Sequence, residues 1–203
     1  MNKILISFVT VLFLPIISAN NSLLNEVEWL INNHFSGTEI TLSAKTLKQH
    51  TSGILSFNSP SLQIKGDGDS KKVESVFCDY NPLNKIFEFK NSASVKITSS
   101  VSELKILSEE IIFDEKKNLL YSNLKSELDF KNTSLTGDNF VVKKDKIKGE
   151  MVILTNGIIE MRSDLRSEHF YGEAKKIKYF INSDLVVMTG SALIKDKDIT
   201  IEA

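Results

Sequence analysis

The chain has 203 residues, 25 basic and 26 acidic side chains spread along it, 41% hydrophobic residues and one cysteine, Cys78. That balance excludes binding to nucleic acid through a basic surface, and a lone cysteine excludes an intrachain disulfide, so the fold must stand on its core. The densest basic cluster, Lys143-Lys144-Asp145-Lys146, is broken by an acid and reads as a solvated turn.

Residues 1–19 have a basic start at Lys3, an apolar run from Ile4 to Leu14, Pro15, and the small residues Ser18-Ala19. This is the layout of a secretory signal peptide, and the run falls short of the roughly 20 apolar residues of a spanning helix. Cleavage after Ala19 is the expectation, with an uncleaved N-terminal anchor as the alternative. The chain then divides into a leader (1–19), a short helix and linker (20–37) and one β domain (38–203).

From Ser22 to Phe35, Leu23, Leu24, Val27, Leu30 and Ile31 recur at helical spacing with Glu26, Glu28, Asn32 and Asn33 between them. The spacing predicts a short amphipathic helix, with Gly37 as its stop and Trp29 as a packing anchor.

From Glu39 onward the period becomes two. Phe87 and Phe89 alternate with Glu88 and Lys90, Val95 and Ile97 with Ser94 and Lys96, and Leu104 and Ile106 with Glu103 and Lys105. The alternation returns at 128–130, 177–181, 185–187, 192–194 and 199–201, and turn residues such as Asn81-Pro82, Asp114 to Asn118 and Thr136-Gly137-Asp138 separate the segments. Short strands at this spacing predict an all-β sandwich or jellyroll.

An internal repeat narrows the class. Tyr80, Phe87 and Ala93 form a ladder in which an aromatic is followed seven residues on by an apolar residue and six further by a small one. The ladder recurs at Phe113, Leu120, Ser126 and at Tyr179, Val186, Ala192, offset by 33 and 66 residues, with a degenerate copy from Phe140 through Ile147. Each unit reads as one hairpin, and stacked hairpins bury a core that none could bury alone.

Chemistry has few candidates. His34, His50 and His169 are scattered without metal-ligand spacing, the Gly-x-Ser-x-Gly elbow is absent, and Cys78 has no adjacent histidine. Gly66-Asp67-Gly68-Asp69-Ser70 lacks the distal glutamate of a calcium loop, having Phe77 there, and adjacent carboxylates such as Glu109-Glu110 point to opposite strand faces. The expectation is a protein that is not an enzyme and needs no metal or cofactor.

Several segments resemble the OstA-like periplasmic components of lipopolysaccharide export, the LptC/LptA family: Ile40 to Ala44, Pro60 to Ile64, Lys85-Ile86-Phe87 through Val95, Leu107 to Asp114, and Thr136-Gly137-Asp138-Asn139-Phe140 to Gly149. The segment order is closest to LptC, and the stretch after Glu168 resembles a further repeat of the LptA kind. The resemblance implies a twisted β-jellyroll open along one seam, built from stacked hairpins, located in the periplasm or anchored to the inner membrane. It implies a trough for the acyl chains of lipopolysaccharide, whose candidate lumen residues are Phe87, Phe89, Val95, Ile97, Ile106, Ile112, Tyr121, Leu128, Phe130, Phe140 and Ile153. Ordinary core packing is the other reading of each.

The partners implied are other Lpt-type jellyroll proteins and an inner-membrane ABC transporter, since the chain has no nucleotide motif of its own. The last strand, with Ile199, Thr200 and Ile201, is the candidate edge for adding a neighbouring jellyroll head to tail. A secreted β-repeat module that binds protein or glycan through its outer face is the competing reading, and a β-sandwich enzyme is the third.

Overall fold

A computed structural model describes residues 5–7, 23–33, 38–66, 69–99, 103–130, 133–145, 149–163, 168–183, 185–195 and 200–202. Among them eighteen strands join in one continuous hydrogen-bonded sheet, and there is no helix. In chain order they are β1 (Leu5–Ser7), β2 (Leu23–Asn33), β3 (Thr38–Gln49), β4 (Leu55–Asn58), β5 (Ser61–Gly66), β6 (Asp69–Glu74), β7 (Phe77–Asn81), β8 (Ile86–Thr98) and β9 (Glu103–Asp114). The second half contains β10 (Leu119–Ser122), β11 (Ser126–Phe130), β12 (Thr133–Gly137), β13 (Asn139–Asp145), β14 (Gly149–Ser163), β15 (Glu168–Phe180), β16 (Leu185–Thr189), β17 (Leu193–Lys195) and β18 (Thr200–Glu202). All pairings are antiparallel except β1 with β2.

Long hairpins alternate with short strands, and the long strands fold the sheet onto itself. β3 pairs with β4 through 46–49 but with β5 through 39–43. β9 pairs with β10 through 112–114 but with β11 through 105–108. β15 pairs with β16 through 176–180 but with β17 through 171–173. One half of each long strand therefore lies in a first layer with β4, β7, β10, β13 and β16, and the other half in a second layer with β5, β6, β11, β12, β17 and β18.

A crease between the layers has its own residue chemistry. Glu26, Ser59, Asn91, Ser92, Asn156 and Ser191 all have positive φ, and the β8–β9 register shifts between Lys90 and Ala93. The β8–β9 site is a bulge, which bends a strand and increases its twist, whereas at Glu26 and Asn156 the register is kept across a single left-handed residue. The side chains buried along the crease are small: Ala44, Ala93, Ser108, Ser126, Gly137, Gly157, Ala174 and Ala192. A Cβ on Gly157 would come within 2.7 Å of Ile177 Cδ1, so glycine is required there for close approach.

The expected N-terminal helix is corrected to a strand: 23–33 is β2, antiparallel to β3 with Trp29 opposite Leu42 and Ile31 opposite Ile40. The left-handed backbone of Glu26, with φ at 52°, accounts for the misleading spacing. It lengthens one inward step, from Leu24 to Val27, to three residues before alternation resumes at Trp29, and that step imitates a helical face. Gly37 and most of residues 1–19 lie outside the described residues.

The two layers face each other across one core. Phe130 of the second layer stacks on Tyr179 of the first with ring centroids 4.0 Å apart. At the other end Trp29 lies 5.1 Å from Tyr80 and 6.4 Å from Phe57.

Candidate functional site

The repeat read from the sequence is a pairing rule in space. Tyr80 stands opposite Phe87, Phe113 opposite Leu120, and Tyr179 opposite Val186, each across a tight turn. These pairs are links in one cross-strand row on the inner face of the first layer: Leu55, Tyr80, Phe87, Phe113, Leu120, Val142, Val152, Tyr179, Val186. At about 4.8 Å between strands, nine of them span about 38 Å.

The second layer carries a matching row from Trp29 and Leu42 through Leu62, Val73, Val95, Ile106, Leu128, Leu135 and Ile159 to Gly172, Ile194 and Ile201. Neither row contains a charged residue, and nearly every member between the ends is buried. The interior is thus a continuous apolar core between two walls that run the length of the stacked hairpins.

Of the candidate lumen residues, Phe87, Phe89, Val95, Ile97, Ile106, Leu128, Phe130 and Phe140 point into this interior and belong to its packed core. Ile112, Tyr121 and Ile153 do not. Each lies between two inward neighbours, Ile111 and Phe113, Leu120 and Ser122, and Val152 and Leu154, so the pleat turns it to the outer face. Inward residues missing from the expected set include Tyr80, Phe113, Leu120, Val142, Val152 and Tyr179; the repeat had already marked Tyr80, Phe113, Leu120 and Tyr179. Thr200 and Ile201 lie on β18, which pairs with β17 only, and Ile199 is outside the described residues.

Polar groups keep to the margins. At the turn edge of the first layer the buried Glu115 accepts from Tyr80 Oη at 3.3 Å and from Lys85 Nζ at 3.2 Å. Burial, reinforced by the Glu115 carboxylate, pushes the Tyr80 hydroxyl well above its ordinary range. Asp114 shapes the next turn by accepting from the backbone N–H of Lys117 at 3.1 Å and pairing with its ammonium at 2.9 Å. Burial acts to raise the Asp114 carboxyl, but the Lys117 ammonium and backbone N–H together hold it below its usual value.

On the outer face Ser56 Oγ donates to Asp79 Oδ1 at 2.5 Å and lies 2.9 Å from His50 Nε2. The carboxylate engages the serine and not the imidazole, so this is not the order of a nucleophilic triad. Cys78 is fully buried, and burial, then the Asp79 charge, drives its thiol far above the reactive range. Among the described residues no group of three or more histidine, cysteine or acidic side chains converges on a metal position.

The fold and its interior define the class: a creased β-jellyroll of stacked hairpins with two facing apolar walls. Residues 130–203 match the family model of the LptA/(LptD N-terminal domain) LPS transport protein, and this supports the LptA/LptC-like family of lipopolysaccharide transport. The matched stretch runs from the last residue of β11 to the end of the chain, and the same alternation of long hairpin and short strands precedes it from β2 onward. No curated protein matches the chain. The match supports a protein related to LPS transport in the cell envelope, and among the described residues no helix is long and apolar enough to cross a membrane.

Proposed function

We propose that this protein holds the acyl chains of lipopolysaccharide between its two layers and passes the lipid between inner- and outer-membrane machinery, as an LptA-like or LptC-like periplasmic component. The observation that carries the proposal is the pair of uncharged inner rows, each continuous across the hairpins of both halves of the chain. A ligand lying along them meets no charged group to desolvate, and burial of acyl chains is favoured by about 25 cal/mol per Å² of apolar surface removed from water.

The layers are joined through their long strands, and among the described residues no strand pairing links their opposite margins. Acyl chains enter by displacing contacts such as the Phe130–Tyr179 stack, without breaking the backbone ladder. The step needs no bond chemistry and no cofactor, and the energy for directed movement comes from a partner ATPase.

Photocrosslinking tests the proposal. Benzoyl-phenylalanine at Phe89 or Phe130, both inward, is expected to form adducts with purified lipopolysaccharide, whereas the same group at Lys90 or Ile153, both outward, is not. Absence of adducts from every inward position would leave a filled β domain and favour a protein-binding or glycan-binding module.

A further inference from the structure

The outer face of the first layer changes character halfway along the molecule. One cross-strand row reads Lys48, Ser56, Asp79, Glu88 on β3, β4, β7 and β8, then Ile112, Tyr121, Val141, Ile153 on β9, β10, β13 and β14. The parallel row toward the turn edge reads Met151, Phe180, Leu185 on β14, β15 and β16. The pleat turns Phe180 away from the interior although it is only 6% exposed, and Leu185 is 40% exposed. The outer face of the second layer shows no such change: across six strands one row reads Gln63, Lys72, Lys96, Lys105, Asp129, Ser134. A contiguous apolar patch on a sheet face marks a contact surface.

The β9 end of the patch is flanked by Glu88 and Glu110, whereas the charge around its β13–β16 end is basic. Lys143 lies beside Met151, Lys178 lies between Ile153 and Val187, and Lys176 is one step along the same strand face. Among the described residues no ion pair engages these three lysines, whereas Lys72, Lys90 and Lys96 are each paired with a carboxylate. We propose that this face docks on an anionic lipid bilayer, with the apolar side chains at the interface and the three lysines at headgroup level. The cluster of three lysines at the β13–β16 end selects an anionic occupant, and a second copy is an outcome that the test separates. The surface is separate from the interior, so the proposal stands or falls independently of lipopolysaccharide binding.

The test uses the full chain and vesicles free of lipopolysaccharide, either phosphatidylethanolamine with phosphatidylglycerol or neutral phosphatidylcholine. Cys78 is fully buried, so a polarity-sensitive fluorophore attached to Leu185→Cys reports on the patch alone, with Lys96→Cys as control. The expected result is a blue shift at 185 and none at 96, on anionic vesicles only. Combined Lys143→Glu, Lys176→Glu and Lys178→Glu should lower the anionic preference by roughly fivefold per lysine. The equally charged reversal of Lys72, Lys96 and Lys105 should leave it unchanged. Three results would overturn the proposal: no shift at 185, equal loss from both triple reversals, or a shift that grows with protein concentration without vesicles, which would assign the face to a second copy.

Discussion

Phe113 and Tyr121 are both aromatic residues beside the same turn, yet one is 1% exposed in the core and the other lies on the outer face. Phe113→Ala removes a ring stacked at 6.1 Å from Phe87 and leaves a cavity, a change expected to cost about 3–5 kcal/mol in urea unfolding. Tyr121→Ser removes no core contact and should stay within about 1 kcal/mol; comparable losses from both would show the pleat assignment to be wrong. Which residue is which was only partly legible in the sequence. Where apolar and polar residues alternate, as in Phe87-Glu88-Phe89-Lys90, the inward set follows directly. In Ile111-Ile112-Phe113 and Met151-Val152-Ile153-Leu154 every position is apolar, so the pattern gives no parity and only the pairing register does. The outer patch is apolar too, which is why Ile112, Tyr121 and Ile153 were indistinguishable from wall residues.

The hairpin repeat was legible because its turn chemistry and its aromatic pair lie close together in the chain. The crease was not, because positive φ at Glu26, Asn91, Ser92 and Asn156 belongs to residues that carry no glycine signal. Their placement is imposed by pairing on both sides, which also overrode the helical spacing of β2. At this level Gly157 is the most exposed to test. It sits beside the left-handed residue Asn156, and an added methyl would meet Ile177 Cδ1 at 2.7 Å and Cγ1 at 2.8 Å. Gly157→Ala should therefore cost about 1–3 kcal/mol through overpacking at the bend. Gly53→Ala is the comparison, with open space around its Cβ but a φ of +82°, so its loss is conformational only and about 1 kcal/mol. Paired denaturation curves separate the two, and a Gly157→Ala protein as stable as the parent would mean that the layers do not pack as closely at the crease as described.

Over the whole molecule the two layers end unequally. In the second layer the inner row closes on Ile201, which is 52% exposed although its row partners inward from the edge, Ile159 and Leu135, are at most 2% exposed. The exposure follows from position: β18 pairs with β17 through three residues and has no strand on its other side among the described residues. A neighbouring jellyroll adding a strand there would supply backbone partners and continue the apolar row past Ile201 into the next molecule. The short ladder also means that little folding free energy rests on β18. Deleting residues 198–203 should shift the melting temperature by only a few degrees, with β17 becoming the new edge, while capture of Lpt-type partners falls below detection. Ile201→Lys is the gentler form of the same test, since it keeps the β18 backbone but places a charge where the row should continue. If the truncated chain captured partners as well as the intact one, the contact would lie elsewhere; if Ile201→Lys alone abolished capture, continuity of the apolar row, and not the backbone edge by itself, would be what the partner reads.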